Sequence, residues 1–237
     1  MRYRKQNISA KQGGFTIIEL LIATSVLAVI LIIVTLILIN ISSLYDKGVH
    51  LANVQDTTRN TIEEIAQDIQ LTNGQFVIGT PTSMGTFSPG VSSQSFCIGD
   101  TRYSYVVGYA EGTGNDPSNM PRIQHVLWRD TQSTHPESCQ ALPLDQADPG
   151  AADSGNSING AELVAPGTRI TNLSVTQNTS GNYVIKLAEA YGDSDLLQIT
   201  PPAVTNNPLC KTSIGDQFCS TDSLTLDVTP RITNSGD

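Results

Sequence analysis

At 237 residues, with 39% hydrophobic and only 15% charged side chains, the chain has room for one sizeable domain, or for a stalk and a domain. Its net charge of −9, from 13 basic and 22 acidic residues, offers no electrostatic footprint for a phosphate backbone and argues against direct nucleic-acid binding. No HExxH, GxSxG, P-loop or dinucleotide fingerprint occurs, which leaves an enzyme as the weakest function class.

Residues 1–14 are polar and basic, carrying Arg2, Arg4, Lys5 and Lys11 with no acid and no apolar run. Without those four bases, nine basic residues face 22 acids, a net of −13. The apolar segment follows the Gly13-Gly14 pair, and no small-residue cleavage site closes it, unlike an ordinary secretory signal peptide. Leu20 to Ile39 holds no charge, and about 20 helical residues span the ~30 Å of a bilayer core. The basic leader belongs on the cytoplasmic side and the remainder outside. Thr24, Ser25 and Thr35 can return hydrogen bonds to their own helix. Glu19 stands at the head of the apolar run, where burying a carboxylate costs about 2.5–3.5 kcal/mol or more and requires a reason.

The helical pattern continues past the membrane edge. Leu51, Val54, Thr58, Ile62, Ile65 and Ile69 recur at steps of three or four, with Asp56, Arg59, Glu63, Glu64 and Asp68 on the water side. Asn73-Gly74 supplies a stop near Leu71. From Phe15 to Asn73 such a helix is roughly 85–90 Å long, with Gly48 as a weak point.

After Gly74 the period changes to short alternating runs at residues 75–78, 95–98, 102–109, 123–129, 169–175, 183–187 and 223–228. Turn-rich stretches separate them, so they read as antiparallel strands. Residues 112–119 read as a hairpin or longer loop, and 142–160 as a surface excursion. The strand aromatics Tyr103, Tyr105, Tyr109 and Trp128 are assigned to the core or a sheet face.

Cys97, Cys139, Cys210 and Cys219 all follow the apolar block, and an even count in an exported domain reads as disulfides with three possible connectivities. We favour Cys97–Cys139 and the short Cys210–Cys219 staple. No CxxC pair occurs, and His125 and His135 are not at a zinc spacing from the cysteines. Asp145, Asp148, Asp153, Asp193 and Asp195 match no EF-hand loop and read as solvated loop acids. No metal or cofactor is expected.

The run Gly13-Gly14-Phe15-Thr16-Ile17-Ile18-Glu19, the uncharged helix behind it and the polar β-rich remainder resemble the type IV prepilin class. In size and layout the chain is most similar to its larger minor members, the J-type pseudopilins of type II secretion and the W-type minor pilins. The resemblance implies an α+β pilin fold, a long N-terminal helix packed on an antiparallel sheet. It divides the chain into a cleaved leader (1–14), a transmembrane and assembly half-helix (15–41), an amphipathic half-helix (42–73) and an extracytoplasmic head (74–237).

The same resemblance implies that a prepilin peptidase cuts between Gly14 and Phe15 and methylates the new amine of Phe15. It gives Glu19 the role of pairing with the terminal amine of a neighbouring subunit and so setting axial register, while Thr16, Thr24 and Ser25 stay ordinary small polar residues. Implied partners are other pilin or pseudopilin subunits, the peptidase, an inner-membrane assembly platform and the lipid bilayer. The chain would be a structural subunit that initiates or caps a filament serving motility, adhesion, DNA uptake or secretion. The alternative is a membrane-anchored adhesin or binding module that carries the same signal.

Overall fold

A computed structural model describes residues 14–72, 76–84, 91–111, 123–132, 139–153, 157–198, 205, 207–212 and 216–231. The leader through Gly13 and the Asn73-Gly74 stop lie outside them, as do loop 112–119 and His135. Among the described residues one long helix, α1 (Ile17–Leu71), precedes nine strands. By contacts the chain divides into two compact units, Met1–Leu44 and Tyr45–Asp237.

In the first unit α1 is apolar on every face, and its large side chains from Ile17 to Ile41 are all exposed. A helix apolar on all faces befits a segment whose solvent is lipid or other apolar helices. Thr24 and Ser25 donate their hydroxyls to the carbonyls of Leu21 (3.1 Å) and Ile22 (2.8 Å), and Thr35 donates to that of Leu31 (2.8 Å). The polar atoms in this stretch are thereby satisfied within the helix.

The second unit has an α+β architecture. Strands β1 (Phe76–Ile78), β2 (Thr82–Ser83), β3 (Ser92–Ile98), β4 (Thr101–Tyr105), β5 (Leu127–Gln132) and β6 (Ser157–Glu162) build a six-stranded sheet in the order β1-β3-β4-β5-β6, with β2 also on β3. A second sheet joins β7 (Thr168–Gln177), β8 (Tyr183–Tyr191) and β9 (Ser220–Val228) in that order. All pairings within both sheets are antiparallel. Isolated bridges, Val107 with Ile170 and Ala110 with Arg169, tie the first sheet's outgoing chain to β7.

The C-terminal part of α1 supplies the stripe that closes this core. Val54, Thr58, Thr61, Ile62, Ile65, Ala66 and Ile69 are buried, and the isoleucines meet Phe96, Tyr103, Leu127, Ile170, Ile185 and Leu187 from the two sheets in one cluster. Each such isoleucine contributes about 1.5–3 kcal/mol relative to exposure. Leu51, assigned to the stripe by its spacing, is exposed instead, because the stripe starts at Val54. Asp68, assigned to water, turns toward β5, where Arg129 holds it at 2.9 Å and the Tyr103 hydroxyl donates to it at 2.6 Å.

Three strand assignments shift. The run 102–109 pairs only to Tyr105; beyond it Gly108 takes a positive φ of 90° and the chain turns to the β7 side. The run 123–129 becomes a strand only from Leu127, because the amides of Gln124 and His125 donate to the Leu144 carbonyl and that of Val126 to the Glu162 carboxylate. Part of the excursion 142–160 is ordered sheet: Ser157–Glu162 pairs with β5, and Leu142 and Leu144 are buried. Asp145 is buried too, contrary to its reading as a solvated acid, and burial pushes its carboxyl upward. Asp148, Asp193 and Asp195 are exposed.

Candidate processing and assembly site

Thr16 caps α1. Its backbone N–H donates to Glu19 Oε2 at 3.0 Å, its hydroxyl donates to the same oxygen at 2.8 Å, and the Glu19 N–H donates back to Thr16 Oγ1 at 3.3 Å. This is a reciprocal capping box, in which threonine and a glutamate three residues later satisfy donors that have no partner inside the helix. The carboxylate also lies where the positive end of the helix dipole favours it.

Two consequences follow for the residues singled out by sequence. The first helical bond runs from the Leu20 N–H to the Thr16 carbonyl (3.3 Å), so Phe15 precedes the helix and does not share a helical face with Glu19. Thr16, read as an ordinary small polar residue, is the direct partner of Glu19. The T-x-x-E spacing before an apolar run was the signal that identifies it.

Both hydrogen bonds accepted by the carboxylate fall on Oε2, and among the described residues none reaches Oε1. Phe15 and Ile17 are 87% and 82% exposed, leaving the entry to the helix open. At Gly14 an added Cβ would meet nothing within 4 Å, and the backbone there is not in the left-handed region. Among the described residues, neither crowding nor backbone strain therefore calls for glycine at this position.

In the head, Cys97 joins Cys139 across a sequence separation of 42, and Cys210 joins Cys219 across a separation of nine. The first bond ties β3 to the segment at Cys139, next to Ser95, whose hydroxyl donates to the Cys139 carbonyl at 3.0 Å. The second closes the chain ahead of β9. Among the described residues no group of three or more His, Cys, Asp or Glu side chains is arranged to hold a metal.

No curated protein and no solved structure matches the chain. Residues 9–35 match the family model described as the prokaryotic N-terminal methylation motif. Proteins with this motif are structural, are processed by prepilin peptidase and assemble with other pilins; the match supports a type IV prepilin-like precursor, membrane-anchored through its N-terminal helix.

Proposed function

We propose that the chain is a minor pilin or pseudopilin, a structural subunit made as a single-pass membrane precursor, cut between Gly14 and Phe15, methylated at Phe15, and inserted near the tip or base of a filament. On this reading residues 1–14 are discarded, 15–41 anchor and pack, 42–73 carry the head, and 74–237 face outward. The observation that carries it is the junction itself: an unhindered glycine, an exposed phenylalanine and a capped glutamate at the mouth of an uncovered apolar helix. A glycine that the fold does not need suits an external requirement, an extended backbone lying in a protease groove.

Glu19 is suited to register because Thr16 fixes its carboxylate through one oxygen and leaves the other for a neighbour's amine. The cis hydrogen bonds also explain how a carboxylate tolerates its position before assembly. A charge pair formed there matters more for alignment than for raw stability.

The test is a pair of substitutions in the producing cell. Gly14→Glu is expected to leave the precursor uncut, whereas Glu19→Ala is cut normally but is depleted from sheared filaments. Normal incorporation of Glu19→Ala sinks the register role, and normal maturation of Gly14→Glu sinks the whole reading. The adhesin alternative predicts that both variants retain function at the cell surface without filament assembly.

A further inference from the structure

Arg169 is a cation folded into the head, with no carboxylate within ion-pair distance among the described residues. It sits on β7 at 4% exposure, Nη1 donates to the Gly108 carbonyl at 3.3 Å, Nη2 donates to the Gly192 carbonyl, and the buried Nε has no hydrogen-bond partner among the described residues. Among the described residues it forms no ion pair, although buried charges are ordinarily paired. Burial lowers its pKa while Asp193 and Asp195 pull the other way, and a guanidinium stays charged through such shifts.

The same guanidinium forms part of the wall of an open cavity of about 410 Å³. Tyr191 and Phe218 supply aromatic walls, Gly192 a backbone wall, and Glu111 and Asp193 also line it. Phe218 is 50% exposed, a large apolar ring open to solvent. The Tyr191 ring is held by stacking on His50 of α1, with ring centroids 4.2 Å apart.

We propose that this cavity is a binding site for a monovalent carboxylate carried on an aromatic or apolar body. A guanidinium is the natural mate of a carboxylate, and the two aromatic rings offer apolar area to whatever bears it. Glu111 and Asp193 beside it, on a chain of net charge −9, repel a second negative charge and so disfavour phosphate or sulfate dianions. The carboxylate comes either from a free aromatic acid or from the acidic group of another polypeptide. The site belongs to the head and does not depend on the filament reading.

Calorimetric titration of the full-length chain in a nonionic detergent tests it, with N-acetylphenylalanine, its uncharged amide, inorganic phosphate and the peptide acetyl-Phe-Asp-amide as probes. N-acetylphenylalanine or the peptide is expected to bind saturably, and the uncharged amide about tenfold or more weakly. Binding by the peptide identifies a polypeptide side chain as the donor; binding by N-acetylphenylalanine alone identifies a free acid or a chain terminus. Arg169→Gln should remove the preference for acid over amide. Because Arg169 also ties two backbone carbonyls, Glu111→Gln and Asp193→Asn give a second reading at exposed positions, each tightening the acid by about two- to threefold. Equal binding of acid and amide, phosphate binding as tightly as the acids, no saturable binding, or rim variants that do not tighten it would each overturn the proposal.

Discussion

Thr58 on α1 donates its hydroxyl to Glu189 Oε2 on β8 at 3.0 Å, and both residues are fully buried. The other carboxyl oxygen has no hydrogen-bond partner among the described residues. Burial pushes the Glu189 pKa up to about 8, the Thr58 bond pulls it down, and the charges of Asp222 and Glu162 push it further up. The acid is raised relative to its ordinary 4.5, so its contribution to stability is complete below that value and is lost as pH rises through about 8. The head is therefore expected to melt at progressively lower temperature between pH 5 and 9. Glu189→Gln should flatten that profile and be the more stable protein at the alkaline end by a few kcal/mol, on the order set by the shift. Parallel profiles for the two proteins would contradict this account.

His125 offers an optical reading of a second titration. Its ring lies 4.4 Å, centroid to centroid, from Trp128, the only tryptophan in the chain. Burial lowers the His125 pKa, but the hydrogen bond and charge of Glu162 (Nδ1 to Oε2 3.2 Å), the Ala147 carbonyl and Glu111 outweigh it and leave it above its ordinary 6.5. Imidazolium quenches a neighbouring indole, so Trp128 emission should fall on acidification with a midpoint above 6.5. Glu162→Gln should move that midpoint down. The stability from this pair is present below the unfolded value and is lost as pH rises through the folded one, the same direction as Glu189.

Arg102 and Asp130 stand opposite each other on β4 and β5, and their double hydrogen bond (3.0 and 2.6 Å) is almost wholly buried. Removing Asp130 takes the facing carboxylate from a buried guanidinium, which keeps its bond to the Gln140 carbonyl at 3.1 Å. Asp130→Ala is expected to destabilise by about 3–5 kcal/mol, whereas the double replacement Arg102→Met with Asp130→Leu should cost much less. Chemical denaturation of the two variants checks this, and a double variant worse than the single one would refute it.

The sequence made α1 legible because a stripe at steps of three or four records one buried face, and the apolar block records a lipid-facing one. It did not reveal Asp68, whose reason for turning inward is Arg129, 61 residues away. Nor did it reveal β6, since Ser157–Glu162 has no apolar alternation of its own and is a strand because β5 offers it a ladder and because Glu162 collects the amides of Val126, Leu127 and Val164. The cap at Thr16 was readable from four residues. The cavity at Arg169 was not, because its lining comes from four separate stretches of chain between Ala110 and Phe218.

The two disulfides should not be equal. Closing a loop removes unfolded-state entropy roughly with the logarithm of its length, so the bond spanning 42 residues outweighs the one spanning nine by about 1 kcal/mol. Cys97→Ser with Cys139→Ser is expected to lower the midpoint of unfolding more than Cys210→Ser with Cys219→Ser. The reverse order would show that native-state contacts around Cys210 and Cys219 dominate.

Everything proposed for the function rests on one bond, the peptide between Gly14 and Phe15. Intact-mass and N-terminal analysis of the membrane-extracted protein from its producing cell reads that bond directly. The account predicts a mature chain beginning at Phe15, with a methyl group on its amine. A protein that retains residues 1–14, or that begins at any other residue, would contradict it.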